Sequence, residues 1–509
     1  MSPPCIKMVL ICILMIALGN LIGLVYQSHR HGSVRHRLPA VKVYDLRTGS
    51  SDNDIEERLS NTSRVVNAAS FAPRNITSHN TYHIHTPIAN KKNLSRGIIA
   101  DRSFINPNLS ATILKIDKQK VRENRRLLHP NATTSVMFLK THKTGGSTLQ
   151  NIFFRFAVFH GLEVALPVAH SAFYYPSLNF HSSIVLQDTK SGPCCDFLLH
   201  HLVFNVPEVK KVVRPDAAFV TILRDPVSLF TSAFTYYNLS RCMNGKSLPE
   251  INLRKYAHLN TSICPTVKFQ IANMQVFDMG ISLTHGYTDC AIKDFIAKMD
   301  RLFDIVLIAE MFEESLVVLK TKFNWKTKDI MYLRHNVQLN STKAFGKRLS
   351  ENQLSDINDF NRADRMLYDH FVKKMHTHIF DLKKIGINVT DEVLQLRKVN
   401  TAIYSNCVDS VVPAAMLVSN HANRIFAGYG KSGFYKLNSD RLYDVDCRAL
   451  ALPELSFDKY LKARHPDSLK RPRTKTELWE RLKDVLIQTR ESQNAPKTPR
   501  ACSKPGWLW

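Results

Sequence analysis

No CxxC pair occurs in this chain, so its cysteines do not read as a zinc site, and no internal repeat organises it. A GxxxxGK[ST] stretch, the loop a nucleoside-triphosphate P-loop requires, is missing as well. Acidic side chains are scarce: 43 Asp and Glu stand against 69 Lys and Arg in 509 residues, a formal charge of +26 with a pI near 9.7. Such a surface attracts anions, whether nucleic acid, anionic lipid head groups, acidic glycans or phosphorylated cofactors. No carboxylate cluster suited to a metal stands out, and none is expected to be bound. With 44% hydrophobic residues, the length suffices for one large domain or two smaller ones beside non-globular segments.

What is present begins with an uncharged run of 19 residues from Met8 to Tyr26, close to the length a helix needs to cross a bilayer. A cleaved signal peptide ending near Ala17-Leu18-Gly19 is the alternative, and both readings send the remainder into the secretory pathway. Only Lys7 and the α-amine precede the run while Arg30, Arg35 and Arg37 follow it, which favours the opposite insertion. Against that stand nine Asn-x-Ser/Thr sites beyond the run, at Asn61, Asn75, Asn93, Asn108, Asn131, Asn238, Asn260, Asn340 and Asn388, which matter only on the lumenal side. The expectation is a cytoplasmic tail over 1–7, a transmembrane signal-anchor over 8–26 and a lumenal body, with no nucleic-acid partner. Eight cysteines follow Cys5 and Cys12, an even number in an oxidising lumen, so some should be bridged; the adjacent Cys194 and Cys195 are expected not to pair with each other.

Residues 27–133 are rich in Asn, Ser, Thr, Arg and His without sustained periodicity and read as a stem. His83 and His85 lie there with no further ligand nearby, as part of a solvated tract. From Ser135 the texture changes. SVMFLK reads as a strand, a Gly-containing turn follows, and LQNIFFRFAVF has helical spacing. AFVTILRDP repeats the unit, with Phe219 to Leu223 as strand, Asp225 as helix N-cap, Pro226 as first helical residue, and Val227, Phe230, Phe234 and Tyr237 on one helix face. A third unit has Ile305 to Ala309 as strand and Glu313 to Phe323 as helix. Repeated strand-then-helix segments predict an α/β domain over 134–470 with a central, mostly parallel sheet flanked by helices. Residues 349–384 read as mostly helical, and the basic 471–509 as a peripheral tail.

Two loops carry the chemistry. After the first strand come Lys140, Thr141, His142, Lys143, Thr144, Gly145, Gly146, Ser147 and Thr148. A loop leading from a buried strand into a helix aims backbone N–H groups and the positive end of the helix dipole at one spot; the glycines admit an anion, the hydroxyls add donors and Lys143 adds charge. After the second strand, Arg224 emerges at a carboxyl end, where open α/β sheets bind ligands, and Ser232 follows eight residues later.

Together these loops resemble the paired signatures of sulfotransferases, a Lys-Thr-Gly-type loop for a 5′-phosphosulfate and an Arg with Ser eight residues on for a 3′-phosphate. FLKTHKTGGST and TILRDPVSLFTSAFTYY are similar to the galactose-3-O-sulfotransferase family, of galactosylceramide sulfotransferase type. The likeness continues through CCDFLLHHLVFN, IAEMFEESLVVLK and NRADRMLYDHF, covers roughly 135–386, weakens to about Lys436 and is absent from the stem. Gly146 departs from it, standing where a small hydroxyl residue is expected. The resemblance implies a P-loop-like sulfotransferase fold and a Golgi type II membrane enzyme. Its donor would be 3′-phosphoadenosine 5′-phosphosulfate (PAPS), bound by Lys140, His142, Lys143, Thr144, Gly145, Gly146, Ser147, Thr148, Arg224 and Ser232. Its acceptor would be the 3-hydroxyl of galactose on a glycolipid or glycoprotein glycan, and a homo-oligomer stays open. Lys143 would stabilise the leaving group, and a histidine between the two loops would serve as base: His201 first, which matches the base position of the similar uronyl 2-O-sulfotransferases, with His200 beside it and His142 in reserve. The rival readings are a lumenal glycan-binding protein without catalysis and a nucleotide-dependent carbohydrate kinase.

Overall fold

In the computed structural model the hydrophobic strands of the sequence lie side by side and fully covered. The structure describes residues 113–465 apart from 169–170, 243–244, 252, 254–270, 282–287, 339–348, 419–423 and 429–431. All of them belong to one compact unit, Asn90–Trp509. The expected span over 8–26, His83, His85, the tail over 471–509 and the sequons at Asn61, Asn75, Asn93, Asn108, Asn260 and Asn340 lie outside the described residues. Among the described residues, no helix is long and apolar enough to cross a membrane.

Strand β1 (Val136–Leu139) leads into helix α1 (Gly146–His160), and β2 (Phe197–Leu198) follows after a long irregular stretch. Strand β3 (Ala218–Leu223) leads into α2 (Pro226–Tyr236); the five-residue α3 (Met274–Asp278) precedes β4 (Ile305–Ile308), which leads into α4 (Phe312–Lys322). These four strands form a wholly parallel sheet in the order β2-β1-β3-β4, with Leu139 opposite Thr221 and Leu223 opposite Ile308. Every residue of β1 and β4 is buried, as expected of a parallel sheet covered on both faces. The Asp225 side chain accepts from Ser228 N at 2.9 Å and Pro226 opens α2, while Phe230 and Phe234 are buried with Val227 and Tyr237 packed against them.

Beyond the sheet come β5 (Val337–Gln338), α5 (Glu351–Phe360), α6 (Arg362–Lys384) and α7 (Val389–Cys407). Helix α7 runs directly into β6 (Val408–Pro413), and β7 (Ser432–Leu437) completes a second, antiparallel sheet in the order β5-β7-β6. Helices α8 (Val445–Ala451) and α9 (Glu454–Arg464) end the described chain, and Cys407 is bridged to Cys447.

Two features differ from the sequence expectations. Residues 113–133, polar enough to be assigned to the stem, join the folded unit: Ile113, Leu114 and Ile116 are buried in the core, and the short helix Lys118–Arg126 follows them. Cys194 and Cys195 are bridged to each other, against the expectation for neighbours. Both of their backbone N–H groups donate to the single carbonyl of Val212, at 3.0 Å each, so the two residues are held at one point of the chain. Three sequons are described, and Asn131, Asn238 and Asn388 are all exposed.

Candidate active site

The carboxyl ends of the four parallel strands deliver, in sheet order, His201 beyond β2, the Lys140–Gly145 loop beyond β1, Arg224 beyond β3 and Glu310 beyond β4. Adjacent strands place adjacent groups, which is why residues scattered along the sequence share one edge. Strands β2 and β3 flank β1, so the phosphate-type loop lies between the histidines and the arginine.

The loop bends through two left-handed residues, Lys143 at φ 60° and Gly145 at φ 89°. No side chain caps α1, so the N–H groups of its first turn keep their positive potential. The Gly146 position is tight: a Cβ there would lie 3.0 Å from Lys140 Cγ and 3.4 Å from Thr141 O. A small side chain would therefore have to displace Lys140 by a few tenths of an ångström. The hydroxyl of buried Thr148 accepts from His335 N at 3.0 Å, and Thr144 is tied within the loop to Thr141.

Lys143 and Arg224 are half-buried cations of the site. The Arg224 guanidinium donates from Nη1 to Lys143 O at 2.8 Å, joining the two loops directly. The Lys143 ammonium sits 3.6 Å over the Tyr236 ring and has no carboxylate partner among the described residues. Burial, and then the nearby Arg224, lower its pKa to about 8. Among the described residues the Arg224 guanidinium has a distant counter-ion in Glu310, at 3.9 Å, with Asp225 adding a weaker attraction. One amide grips its backbone from both sides: Gln275 Oε1 accepts from Arg224 N at 2.8 Å and Gln275 Nε2 donates to Arg224 O at 3.1 Å. Ser232 is half-buried in the second turn of α2, and its hydroxyl has no hydrogen-bond partner among the described residues.

Lys140 is placed differently from Lys143. Its side chain is buried, its ammonium donates to Gln150 Oε1 at 2.8 Å and it forms an ion pair with Glu454 at the start of α9. The same carboxylate accepts from the Ser147 hydroxyl at 2.9 Å. Burial pushes the Glu454 carboxyl up, but Lys140 and Ser147 outweigh it and leave it below the usual carboxylate range.

The three candidate histidines part company. His200 is buried, edge-on to Phe154 and Phe173, with Nε2 3.2 Å from Asp458 on α9. His201 faces the loop: Nδ1 donates to Lys140 O at 2.9 Å, and its ring stacks on His142 with centroids 3.9 Å apart. Burial, then His142 and Lys140, hold its imidazole well below the usual histidine range. His142 also stacks on Tyr175 at 4.3 Å, and both converge on the fully enclosed Asp278: its carboxylate accepts from Tyr175 OH at 2.7 Å, from His142 N at 2.7 Å and from His142 Nδ1 at 3.1 Å. Asp278, Tyr175, Gln275 and Glu454 carry no motif, and a single sequence holds no signal for them. Among the described residues, no group of three His, Cys, Asp or Glu side chains is arranged to hold a metal.

Residues 104–465, a stretch that includes this edge, match the family described as Galactose-3-O-sulfotransferase. The chain belongs to the galactose-3-O-sulfotransferase family. Galactosylceramide sulfotransferase of Mus musculus is 28% identical over 361 residues, covering 69% of this chain and 81% of that protein. Galactose-3-O-sulfotransferase 2 of Mus musculus is 29% identical over 345 residues, 65% of this chain and 86% of the relative. Galactose-3-O-sulfotransferase 3 of the same species is 34% identical over a shorter 244 residues, 47% of this chain and 55% of the relative. In this family member NRADRMLYDHF has a structural role: Asp364 accepts from Gln275 N and Val276 N at 3.1 and 2.9 Å, Arg365 pairs with Asp225, and Tyr368 donates to Glu310 at 3.0 Å. These contacts brace the turn carrying Arg224 and the helix carrying Asp278.

Proposed function

We propose that this protein transfers the sulfuryl group of PAPS to the 3-hydroxyl of a galactose residue on a glycolipid or glycan, as a type II enzyme of the Golgi lumen. The observation that carries the reading is a pair of coupled cations, Lys143 and Arg224, beside an uncapped helix N-terminus. Two positive charges, of which burial and then Arg224 depress the proton affinity of Lys143, with no carboxylate on Lys143 among the described residues, are complementary to a doubly phosphorylated donor. The family and the names of the relatives supply the sulfuryl group and the galactose.

In this reading Lys143, Gly145, Gly146, Ser147 and Thr148 hold the 5′-phosphosulfate, and Arg224 with the unpartnered Ser232 hydroxyl holds the 3′-phosphate. Lys140, tied to Gln150 and Glu454, supports the loop from beneath. Thr144 and the His142 backbone fix its shape. Sulfuryl transfer resembles phosphoryl transfer in that charge builds on the leaving phosphate, so Lys143 stabilises that oxygen without a metal. The base belongs to the stacked pair His142 and His201, while His200 is packed against phenylalanines and lies beside Asp458.

Titration calorimetry with adenosine 3′,5′-bisphosphate and with ATP tests the reading. Tight binding of the bisphosphate and weak binding of ATP is the expected result. Preference for ATP would favour a kinase and overturn it.

A further inference from the structure

His142 and His201 look alike in sequence terms, but their ring nitrogens meet different groups, a carboxylate for His142 and a backbone carbonyl for His201. We infer that His142, oriented by Asp278, is the group that takes the proton of the acceptor hydroxyl, with Asp278 as its positioning residue and His201 as the ring that braces it; the assignment rests on the sulfuryl-transfer reading above.

Asp278 is enclosed, and its carboxylate meets His142 twice, through the backbone N–H at 2.7 Å and through Nδ1 at 3.1 Å. Carboxylate oxygens only accept, so the ring proton sits on Nδ1 and the basic lone pair of the neutral ring is on Nε2. Tyr175 adds a further bond to the same carboxylate at 2.7 Å and stacks on the imidazole, so the ring is fixed by contacts from residues 136 and 33 positions away, Asp278 and Tyr175. A base has to carry its proton through the transition state, and the imidazolium of His142 would face a negative charge. Among the described residues His201 has no such partner. Its Nδ1 meets the carbonyl of Lys140, and protonation would set a positive charge beside Lys140 and His142. Among the groups facing His142 are Asp278, Tyr175 and His201, with Lys140 against His201 and Tyr237 near Asp278.

The step balances without a further reactant. The galactose oxygen attacks the donor sulfur and the bond from sulfur to the 5′-phosphate oxygen breaks. The hydroxyl proton moves to His142 Nε2, and the products are a sulfate ester and adenosine 3′,5′-bisphosphate. The imidazolium then returns its proton to water.

The test compares wild type with His142→Gln, Asp278→Asn, the double variant and His201→Gln. It reads kcat at saturating donor, its pH profile, and calorimetric affinity for adenosine 3′,5′-bisphosphate. His142→Gln and Asp278→Asn should each lower kcat by about 10²- to 10⁴-fold, with bisphosphate affinity within about threefold of wild type. The double variant should be no slower than His142→Gln alone, because the two residues act as a unit. Asp278→Asn should also shift the acidic limb of the pH profile, which a purely structural role would not move. His201→Gln should cost at least ten times less than His142→Gln. If Asp278→Asn fails to bind the bisphosphate through misfolding, the comparison of His142→Gln with His201→Gln decides. The assignment is overturned if His201→Gln is the slower of the two, or if Asp278→Asn keeps wild-type kcat and pH profile. Wild type that binds the bisphosphate and transfers sulfate while the variants behave in this second way leaves the functional reading standing and removes only the base. Wild type that neither binds nor transfers overturns both.

Discussion

Lys143 occupies a left-handed backbone conformation that ordinarily costs a non-glycine residue about 1 kcal/mol, and the Arg224 guanidinium holds its carbonyl there. Arg224→Ala therefore removes a brace of the loop and, in the proposed reading, the ligand of the 3′-phosphate. Loss of a charge-assisted bidentate contact should weaken adenosine 3′,5′-bisphosphate binding by about 2–3 kcal/mol, roughly 30- to 150-fold, with Arg224→Lys recovering only part because an ammonium lacks the planar fork. Calorimetry on folded protein would show this, and unchanged affinity would remove Arg224 from the site. The depressed pKa of Lys143 gives a pH prediction. Between about 8 and the ordinary value of 10.5 the unfolded chain binds a proton that the native site does not. The group's contribution to stability therefore rises with pH across that window, while the unliganded site loses the ammonium that attracts the donor. Bisphosphate affinity should fall as pH rises above about 8, with proton uptake on binding, and Lys143→Ala should flatten both effects. Equal proton uptake by the variant would assign the titration to another group.

Helix α3 is only five residues long and depends on its neighbours at both ends. Asp364 receives its first N–H groups, Asn273 N donates to Asn361 Oδ1 while Asn273 Oδ1 accepts from Ala363 N and Asp364 N across its start, and Phe204 N donates to Asp278 O at its end. Gly280 closes the segment at φ 89°, where a Cβ would stand 2.2 Å from Phe204 O. Gly280→Ala should destabilise the fold by about 1–3 kcal/mol and displace Asp278, so that turnover falls more than bisphosphate affinity. Thermal denaturation and single-turnover kinetics would check it, and an unchanged Tm would mean that the turn relaxes freely. The strand-loop-helix units at β1, β3 and β4 were legible because their signals are local: a buried apolar run, a turn and a helical period within about twenty residues. The Asp225 cap and Pro226 could be read in the same way. Asp278 and Tyr175 could not, because they reach His142 only through tertiary packing. The second sheet was hidden for a similar reason, since β6 follows α7 without a break and its partner β7 lies beyond a further helix. His200 and His201 are neighbours in sequence, and only the folded chain turns one toward Asp458 and the other toward the loop.

For the whole molecule, the basic surface, the apolar N-terminal run and the sequons agree with a lumenal enzyme whose substrates are anionic or glycan-borne. Asn131, Asn238 and Asn388 are exposed on the folded unit and open to modification. Peptide-N-glycosidase should lower the apparent mass of protein made in eukaryotic cells, and no shift would contradict both the orientation and the compartment. The bridge from Cys407 to Cys447 ties α7 to α8 and fits an oxidising compartment. The central claim is the reaction itself. The purified protein should be given ³⁵S-labelled PAPS with galactosylceramide, terminal galactosides of glycoprotein type and matched acceptors lacking the galactose 3-hydroxyl. The account predicts label on at least one galactoside, located at the 3-position by product analysis, and none on the 3-deoxy acceptors. Tight binding of adenosine 3′,5′-bisphosphate with no transfer to any galactoside, or transfer that persists without the 3-hydroxyl, would contradict it.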